Sequence, residues 1–471
     1  MIVLRQKASF MESDVATPTS VFLNRVGSTG AGILLESAEV GGRWGRHSLI
    51  CQGILMSLSC REGLLDLQTD DERLVELKKY NGLSFLEGLR AVQKELTIEP
   101  DPSFSEFPAI TRALYGYLGY GLAGLMEKSL APYLKPHKAE AYLILPSKVY
   151  LFDHAYNRLA ELDLEGRPLE VTVKPAPSHE TLDLKITPSR DGYMGLVSEG
   201  RRLVAQGELI QLVLSVGFEK PFDGSPFEVF RRLRRLNPSP YMFYLQAPDL
   251  SLVVSSPEVM VSCHQNRLKL CPIAGTRPRG HDASADDLFE TELSADPKEQ
   301  SEHVMLVDLG RNDLGRVASP GSVVVERYME VERFSHVMHL TSHLGADLAP
   351  GLDAIDVISA TFPPGTLTGA PKIKAMELIS RLEGIDRGPY GGASGWLGLD
   401  KDSVNLDFGI TIRSLWVREG IAAWRAGAGV VYDSAPEREW QECLNKARAV
   451  QVALDEVLAD ELAGAKNAVK A

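Results

Sequence analysis

Two carboxylate pairs hold the clearest potential for chemistry in this chain: Glu299 with Glu302, in Asp296-Pro-Lys-Glu-Gln-Ser-Glu302-His303, and Glu439 with Glu442, in Glu439-Trp-Gln-Glu442-Cys-Leu-Asn-Lys446. Residues three apart share one face of a helix. Two such faces set against each other would gather four carboxylates, whose repulsion calls for a cation. Oxygen ligands with few or no Cys or His partners suit Mg2+, held partly through water and partly through an anionic substrate. Taken singly, each pair reads as an ordinary solvated helix face. Their meaning depends on the rest of the chain.

Other polar residues stand where apolar ones are expected. Gln211 interrupts the strand-like run Leu209–Ser215, Arg413 ends the run Gly409-Ile-Thr-Ile-Arg, and Glu258 follows directly on an apolar strand. Charged or amide groups so placed need partners or a task. His339, in Val337-Met-His-Leu, reads by itself as a satisfied core histidine. Three glycine-containing segments could admit an anion. These are Pro272-Ile-Ala274-Gly275-Thr276-Arg-Pro-Arg279, the loop Thr361–Lys372 that includes Thr366, and Arg425-Ala-Gly427-Ala428-Gly429. The last is read as a loop between a strand and a helix, where glycine lets a ligand carboxylate approach backbone N–H groups. Tight turns would explain each equally well. Gly119-Tyr-Gly121-Leu-Ala-Gly124 has the spacing of a dinucleotide fingerprint but follows no plain buried strand, and is read as close backbone packing.

The elements that must position these residues are legible in outline. Ser189 caps a helix with apolar residues at helical spacing (Tyr193, Leu196, Val197, Leu203, Val204). Strands are expected at Ala141–Leu145, Lys148–Phe152, Leu209–Ser215, Leu252–Ser256, Ser322–Val325, Val404–Ile412 and Ile421–Arg425, and a helix at Lys372–Glu383. Ser434-Ala-Pro-Glu437 forms the pattern of a capping box opening the last long helix. The breaker-rich Lys174-Pro-Ala-Pro-Ser-His-Glu-Thr181 marks a seam, and the tail from about Ala459 is expected to fray. Strands interspersed with helices, without regular βαβ alternation, predict an α+β fold.

Composition narrows the function classes. The 471 residues are 44% hydrophobic and 24% charged, as in ordinary globular proteins. A net charge of −13 without a Lys/Arg-rich block argues against nucleic acid. No apolar run reaches the roughly 18 residues of a membrane span. Five scattered cysteines (Cys51, Cys60, Cys263, Cys271, Cys443) show no CxxC spacing, and together with an N-terminus unlike a signal peptide they predict a cytoplasmic protein.

Taken together and in this order, Pro272-Ile-Ala-Gly-Thr-Arg-Pro-Arg279, Glu302-His-Val-Met-Leu-Val-Asp-Leu-Gly-Arg-Asn-Asp313, Gly365-Thr-Leu-Thr-Gly-Ala-Pro-Lys372, Tyr390-Gly-Gly and Gly427-Ala-Gly429 form a recognisable set. The sequence resembles the chorismate-utilising enzymes, most closely anthranilate synthase component I, from about residue 190 to 455. Leu34-Leu-Glu-Ser37 and Asn237-Pro-Ser-Pro-Tyr-Met-Phe243 belong to the same resemblance.

The resemblance implies a large mixed and antiparallel β-sheet sandwich core with surrounding helices. An N-terminal domain (1–180) would contribute to a tryptophan site, a domain spanning 190–455 would bind chorismate, and 456–471 would form a tail. Glu302 and Glu442 would be the Mg2+ ligands, with Glu299 and Glu439 acting through water. Gly275, Thr276 and Lys446 would help hold the ring carboxylate of chorismate. Arg413, Tyr390 and the Gly427-Ala428-Gly429 backbone would hold the enolpyruvyl carboxylate. Glu258 would be the general acid for the departing 4-hydroxyl, with Thr366 and His339 lining the reaction centre. Tryptophan, as feedback inhibitor, would be bound by Leu35, Glu36, Ser37, Asn237, Pro238, Ser239, Pro240, Tyr241 and Met242.

Within the family, relatives that add water carry Lys at the position of Gln211. A neutral amide fits ammonia, which attacks without being deprotonated. Small, inert Ala274 likewise stands where aminodeoxychorismate synthases often have Lys. No cysteine lies in a glutaminase context such as GxCxG, which implies a separate glutamine amidotransferase subunit in a heterodimer or heterotetramer. Arg425 departs from the family, which often has Gln there. The expected activity is amination of chorismate followed by pyruvate elimination to anthranilate, the first committed step of tryptophan biosynthesis. The alternatives are aminodeoxychorismate or aminodeoxyisochorismate synthesis, a non-catalytic tryptophan-responsive subunit, and, far behind, an NAD-binding oxidoreductase.

Overall fold

Alternation along the strands sets the architecture. In the strand His47–Arg61, Leu49 and Cys51 join Ile33, Phe243, Leu245, Leu252 and Val254 in a core built mostly of strand residues. Their neighbours Ile50, Leu34, Met242, Tyr244 and Val253 point the other way, into a core roofed by the helices Arg190–Ala205, Pro226–Leu236 and Pro436–Ala468. Strands covered on both faces read as near-continuous apolar runs. A third core packs the helices Phe85–Glu95, Pro297–Gly315 and Ala354–Thr361 against further strands.

The computed structural model describes residues 1–37, 45–104, 107–173, 183–334 and 337–468, with side chains to Glu461. The fold is α+β, a large, mainly antiparallel sheet with surrounding helices. Pairings run as one ribbon. From Gln211–Pro221 it passes through Ile421–Val430, Ser414–Arg418, Leu250–Ser256 and Tyr241–Ala247 to Gly32–Glu36 and His47–Arg61. It continues through Ala141–Asp153, Ala113–Leu118, Ala393–Gly398, Leu406–Ile410, Val259–His264 and Arg267–Leu270 to Val337–Asp347, which carries Ile273–Pro278 and Val324–Arg333. Strands from both sides of residue 180 thus share one sheet. The seam Lys174–Thr181 lies outside the described residues. No helix among the described residues is long and apolar enough to cross a membrane.

Several boundaries differ from the sequence reading. The strand expected at Ser322–Val325 runs over Val324–Arg333, and that expected at Val404–Ile412 shortens to Leu406–Ile410. Arg425–Gly429 is not a loop: it is the second half of the strand Ile421–Val430, paired with Gln211–Pro221. Gly275-Thr276 is likewise an irregularity inside the strand Ile273–Pro278. The final helix starts at Pro436 as expected, but the Glu437 carboxylate pairs with Arg190 at 2.5 Å, so the capping box is not built as the pattern suggested. This helix continues to Ala468, where fraying was expected from Ala459. The helix Lys372–Glu383 has the expected bounds, closed by Gly384 at φ 64°.

Candidate active site

The two carboxylate pairs sit on facing helices because each helix has a strong start and a buried stripe. Asp296 caps Pro297–Gly315, accepting from the N–H groups of Lys298 (3.0 Å) and Glu299 (3.3 Å), with Pro297 in the first turn. His303, Leu306, Val307, Gly310 and Leu314 are buried, leaving Glu299 and Glu302 at the edge of that stripe. On Pro436–Ala468 the buried stripe includes Trp440, Cys443, Ala447 and Val450; Glu439 is itself buried at its start, and Glu442 lies beside it. Burial first, then Glu299 and Glu442, push the Glu302 carboxyl above its usual range, while Lys446 opposes the shift. Glu439 is raised by burial and by Glu442, against Ser434, Lys298 and Lys446. Glu442 pairs with Lys446 at 2.6 Å, and Glu299 lies 3.4 Å from Arg277.

Among the described residues no three acidic, His or Cys side chains converge tightly enough to hold an ion unaided. The donors nevertheless suit a hard dication that takes its remaining ligands from water and substrate. They are oxygen atoms on two helices, and their mutual repulsion is only partly relieved by Lys446 and Arg277.

Glu258 lies between the strands Leu250–Ser256 and Val259–His264, its backbone carbonyl accepting from Ile410 N–H at 2.9 Å. Burial pushes its carboxyl up to about 7, opposed by the Thr366 hydroxyl and the charge of Lys446. The Thr366 Oγ1 is buried with no hydrogen bond of good geometry. The two residues line a cavity of about 40 Å³ shared with Cys271, Leu309, Asp313 and Thr361. That is on the order of one water molecule. A much larger groove of about 1780 Å³, lined by Thr29, Ser57, Tyr117 and Arg418 among others, holds none of the candidate residues.

The bulge in Ile273–Pro278 swings the Gly275 carbonyl (2.8 Å) and the Thr276 hydroxyl (3.1 Å) onto His339 Nδ1. A carbonyl oxygen can only accept, so Nδ1 carries the hydrogen and Nε2 keeps its lone pair. Burial lowers the His339 pKa, with Arg413 adding to the fall, so the ring is neutral at neutral pH. Gly275 is at φ 67°, and a Cβ there would lie 3.1 Å from Glu299 Oε2.

Arg413 stands at φ 47° and makes no ion pair with a described residue, although burial lowers its pKa and Tyr390 and Glu442 lie close enough to oppose this. A guanidinium so placed is ready for an anion. Gly427 and Gly429 show extended backbone rather than a nest. Lys446 Nζ donates to the Gly427 carbonyl at 3.1 Å, so the polar groups of Gly427 face away from the neighbouring strand. N–H and C=O of one strand residue point the same way, and two residues on the direction repeats. The N–H groups of Gly427 and Gly429 therefore form an open edge, with Ala428 turned toward Leu214. A Cβ at Gly427 would meet Tyr390 Oη at 2.8 Å, and one at Gly429 would meet Gln211 Nε2 at 2.5 Å. The glycines thus make room for the tyrosine hydroxyl and the amide, and both side chains reach the same face.

Glu258, Thr366, His339, Gly275, Thr276, Arg413, Tyr390, Gln211, Gly427, Gly429, Lys446 and the two glutamate pairs come together from both ends of the ribbon. Leu35 and Glu36 pair with Phe243 and Met242, bringing the two segments of the expected tryptophan site side by side. Glu36 is buried and takes Arg234 at 2.7 Å, while Asn237 donates to the Ser255 hydroxyl at 3.0 Å and Tyr241 to Asp407 at 2.7 Å. Sequence reasoning missed Lys298, which reaches both glutamate pairs, although it directly precedes Glu299. It also gave no task to Asp313 and Lys372, which form a buried ion pair at 2.7 Å tying Pro297–Gly315 to the helix behind the Thr366 turn.

Residues 56–452 match the model of the chorismate binding enzyme family. The chain is 37% identical to anthranilate synthase component 1 of Aquifex aeolicus, covering 94% of this chain and 93% of that one. It is 38% identical to the component 1 of Mycobacterium tuberculosis, covering 93% and 90%. Among solved structures, anthranilate synthase component I from Streptococcus pneumoniae superposes with a TM-score of 0.71 at 28% identity, over 94% of this chain and 99% of that one. The menaquinone-specific isochorismate synthase of Escherichia coli shares the fold at a TM-score of 0.71 and 20% identity, over 96% and 95%.

Proposed function

The chain belongs to the chorismate binding enzymes, and from that premise we propose that it is the large component of an anthranilate synthase, aminating chorismate with ammonia and then eliminating pyruvate. The observation that carries this reading is the meeting, in one site, of an acid poised near neutrality, a neutral histidine whose Nε2 keeps its lone pair, and a guanidinium with no ion pair among the described residues.

Gly275, Thr276 and Lys446 would hold the ring carboxylate, and Arg413, Tyr390 and the edge N–H groups of Gly427 and Gly429 the enolpyruvyl carboxylate. Glu258 works in its protonated form. It gives its proton to the departing 4-hydroxyl, which leaves as water while ammonia bonds to the ring. Gln211 is neutral and suits a nucleophile that needs no base to activate it. His339, with Nδ1–H fixed on the Gly275 carbonyl, would accept at Nε2 the ring proton lost as pyruvate departs and the ring becomes aromatic. Glu302 and Glu442, with Glu299 and Glu439 through water, would hold Mg2+, which when bound supplies charge neutralisation for the ring carboxylate.

The naming of relatives as component 1 supports a second component, and chemistry assigns it the supply of ammonia from glutamine. The adjacency of Leu35–Ser37 and Asn237–Met242 supports tryptophan as a regulatory ligand. Product analysis after incubation with chorismate, Mg2+ and 15N-ammonium tests the reaction. Labelled anthranilate and pyruvate are expected in equal amounts. A labelled cyclohexadiene that keeps its enolpyruvyl group would instead identify an aminodeoxychorismate or aminodeoxyisochorismate synthase.

A further inference from the structure

Behind the glycine edge lies a charged cluster that the mechanism above does not use. Glu383 and Arg387 have side chains only 1% exposed, and the Arg425 side chain is 6% exposed. Arg387 donates twice to Glu383 (2.7 and 3.0 Å) and also to the carbonyls of Leu367 and Val213, both at 2.7 Å. Glu383 is further occupied by the backbone N–H and hydroxyl of Ser215, each at 2.8 Å. Arg425 reaches that carboxylate only at 3.6 Å and spends its own donors on Ser215 Oγ, at 2.8 and 3.3 Å. Glu219, the remaining acid felt by Arg425, is exposed and paired to Lys185 at 2.8 Å. Arginine keeps its proton in proteins. Two buried cations therefore face one buried anion, and one positive charge is left over.

The position of that charge matters. Side chains two apart on a strand share a face, so Arg425 stands in one row with the gaps at Gly427 and Gly429 that hold Tyr390 Oη and Gln211 Nε2. Ser215, which holds the guanidinium, is directly opposite Gly427. Gly217, opposite Arg425, is bare where the guanidinium passes, since a Cβ there would lie 3.0 Å from Arg425 Nη1. We propose that Arg425 is a positioning residue for the substrate's side-chain carboxylate: held by Ser215 beside Gly427, it places an unbalanced buried positive charge at the anion cradle and draws a dianionic substrate into it. The inference rests on reading the Gly427–Gly429 edge as a carboxylate site. At roughly 7–10 Å in protein surroundings, one unit charge changes affinity for an anion on the order of tenfold.

Steady-state kinetics with chorismate, together with inhibition by benzoate, tests this. Benzoate carries a ring carboxylate and no second one. Arg425→Gln is expected to raise KM for chorismate about tenfold with kcat within about twofold and the benzoate Ki unchanged, and Arg425→Lys to stay near wild type. Glu383→Gln, which adds a net positive charge to the cluster, should move KM the opposite way. This sign also tests the idea should Arg425→Gln not fold. A wild-type KM in Arg425→Gln, equal loss of chorismate and benzoate binding, or weaker binding in both charge variants would overturn the proposal while leaving the function intact. A wild-type chain that turns over no chorismate would overturn the functional reading, and this inference with it.

Discussion

Replacing Glu258 by Gln keeps the shape of the carboxyl and removes its proton. The expected result is a fall in kcat of roughly 10²–10⁴-fold with chorismate binding largely preserved, read by turnover beside equilibrium binding. In the proposed reaction Glu258 works protonated, and burial holds its pKa at about 7, so kcat at saturating ammonia should decline as pH rises through about 7. Glu258→Gln should lose that limb. The same shift sets a stability signature. The folded carboxyl binds its proton more tightly than the unfolded one, whose pKa is near 4.5, so wild-type stability falls as pH rises from 4.5 to about 7 and stays lower above it. Thermal melts should therefore show Glu258→Gln gaining on wild type at pH 8 relative to pH 4. Part of this was legible in the sequence, since a glutamate just past an apolar strand needs a reason. The roles proposed for Arg413 and Tyr390 came only through resemblance. Nothing in Gly384-Ile-Asp-Arg387-Gly-Pro suggests that this arginine is fully buried, because its partners Glu383, Val213 and Leu367 converge on it only in the fold.

At the level of elements, the buried pair Asp313–Lys372 fixes the Thr366 turn between two helices. Lys372→Met alone strands a buried carboxylate and should cost about 3–5 kcal/mol in chemical denaturation, whereas Asp313→Leu with Lys372→Met should recover much of the loss. The helix Lys372–Glu383 was readable to its ends because its signals are local, with proline before it and glycine after. The segment Arg425–Gly429 was misread as a loop for the opposite reason. Its glycines suggest turn chemistry, yet they serve to admit Tyr390 and Gln211, residues 37 and 218 positions away from Gly427 and Gly429. Pairing with Gln211–Pro221 makes the segment a strand, and that pairing is invisible to a local reading. Gly427→Ala, whose methyl would press on Tyr390 Oη, is expected to lose most activity while far-ultraviolet circular dichroism stays unchanged.

At the scale of the molecule, a single antiparallel ribbon returns on itself, so that Lys446, bonded to Gly427 at one end, and Glu299, beside Gly275 at the other, both lie close to Glu302. The α+β class followed from irregular alternation of strands and helices. The path of the ribbon did not, because it depends on pairings between residues as distant as Phe243 and Leu35. That pairing joins the N-terminal third of the chain to Tyr241–Ala247, whose other neighbour, Leu250–Ser256, leads directly to Glu258, and the proposed tryptophan regulation would act along this path. Ser37→Ala is expected to weaken tryptophan inhibition with little change in uninhibited turnover. Equal inhibition of both proteins would place the regulatory site elsewhere. The decisive assay mixes the chain alone with chorismate, Mg2+ and an ammonium salt at mildly alkaline pH and follows anthranilate fluorescence with and without EDTA. Anthranilate is expected to appear without any glutaminase and to disappear with EDTA. No loss of chorismate from a folded sample would contradict the proposed function.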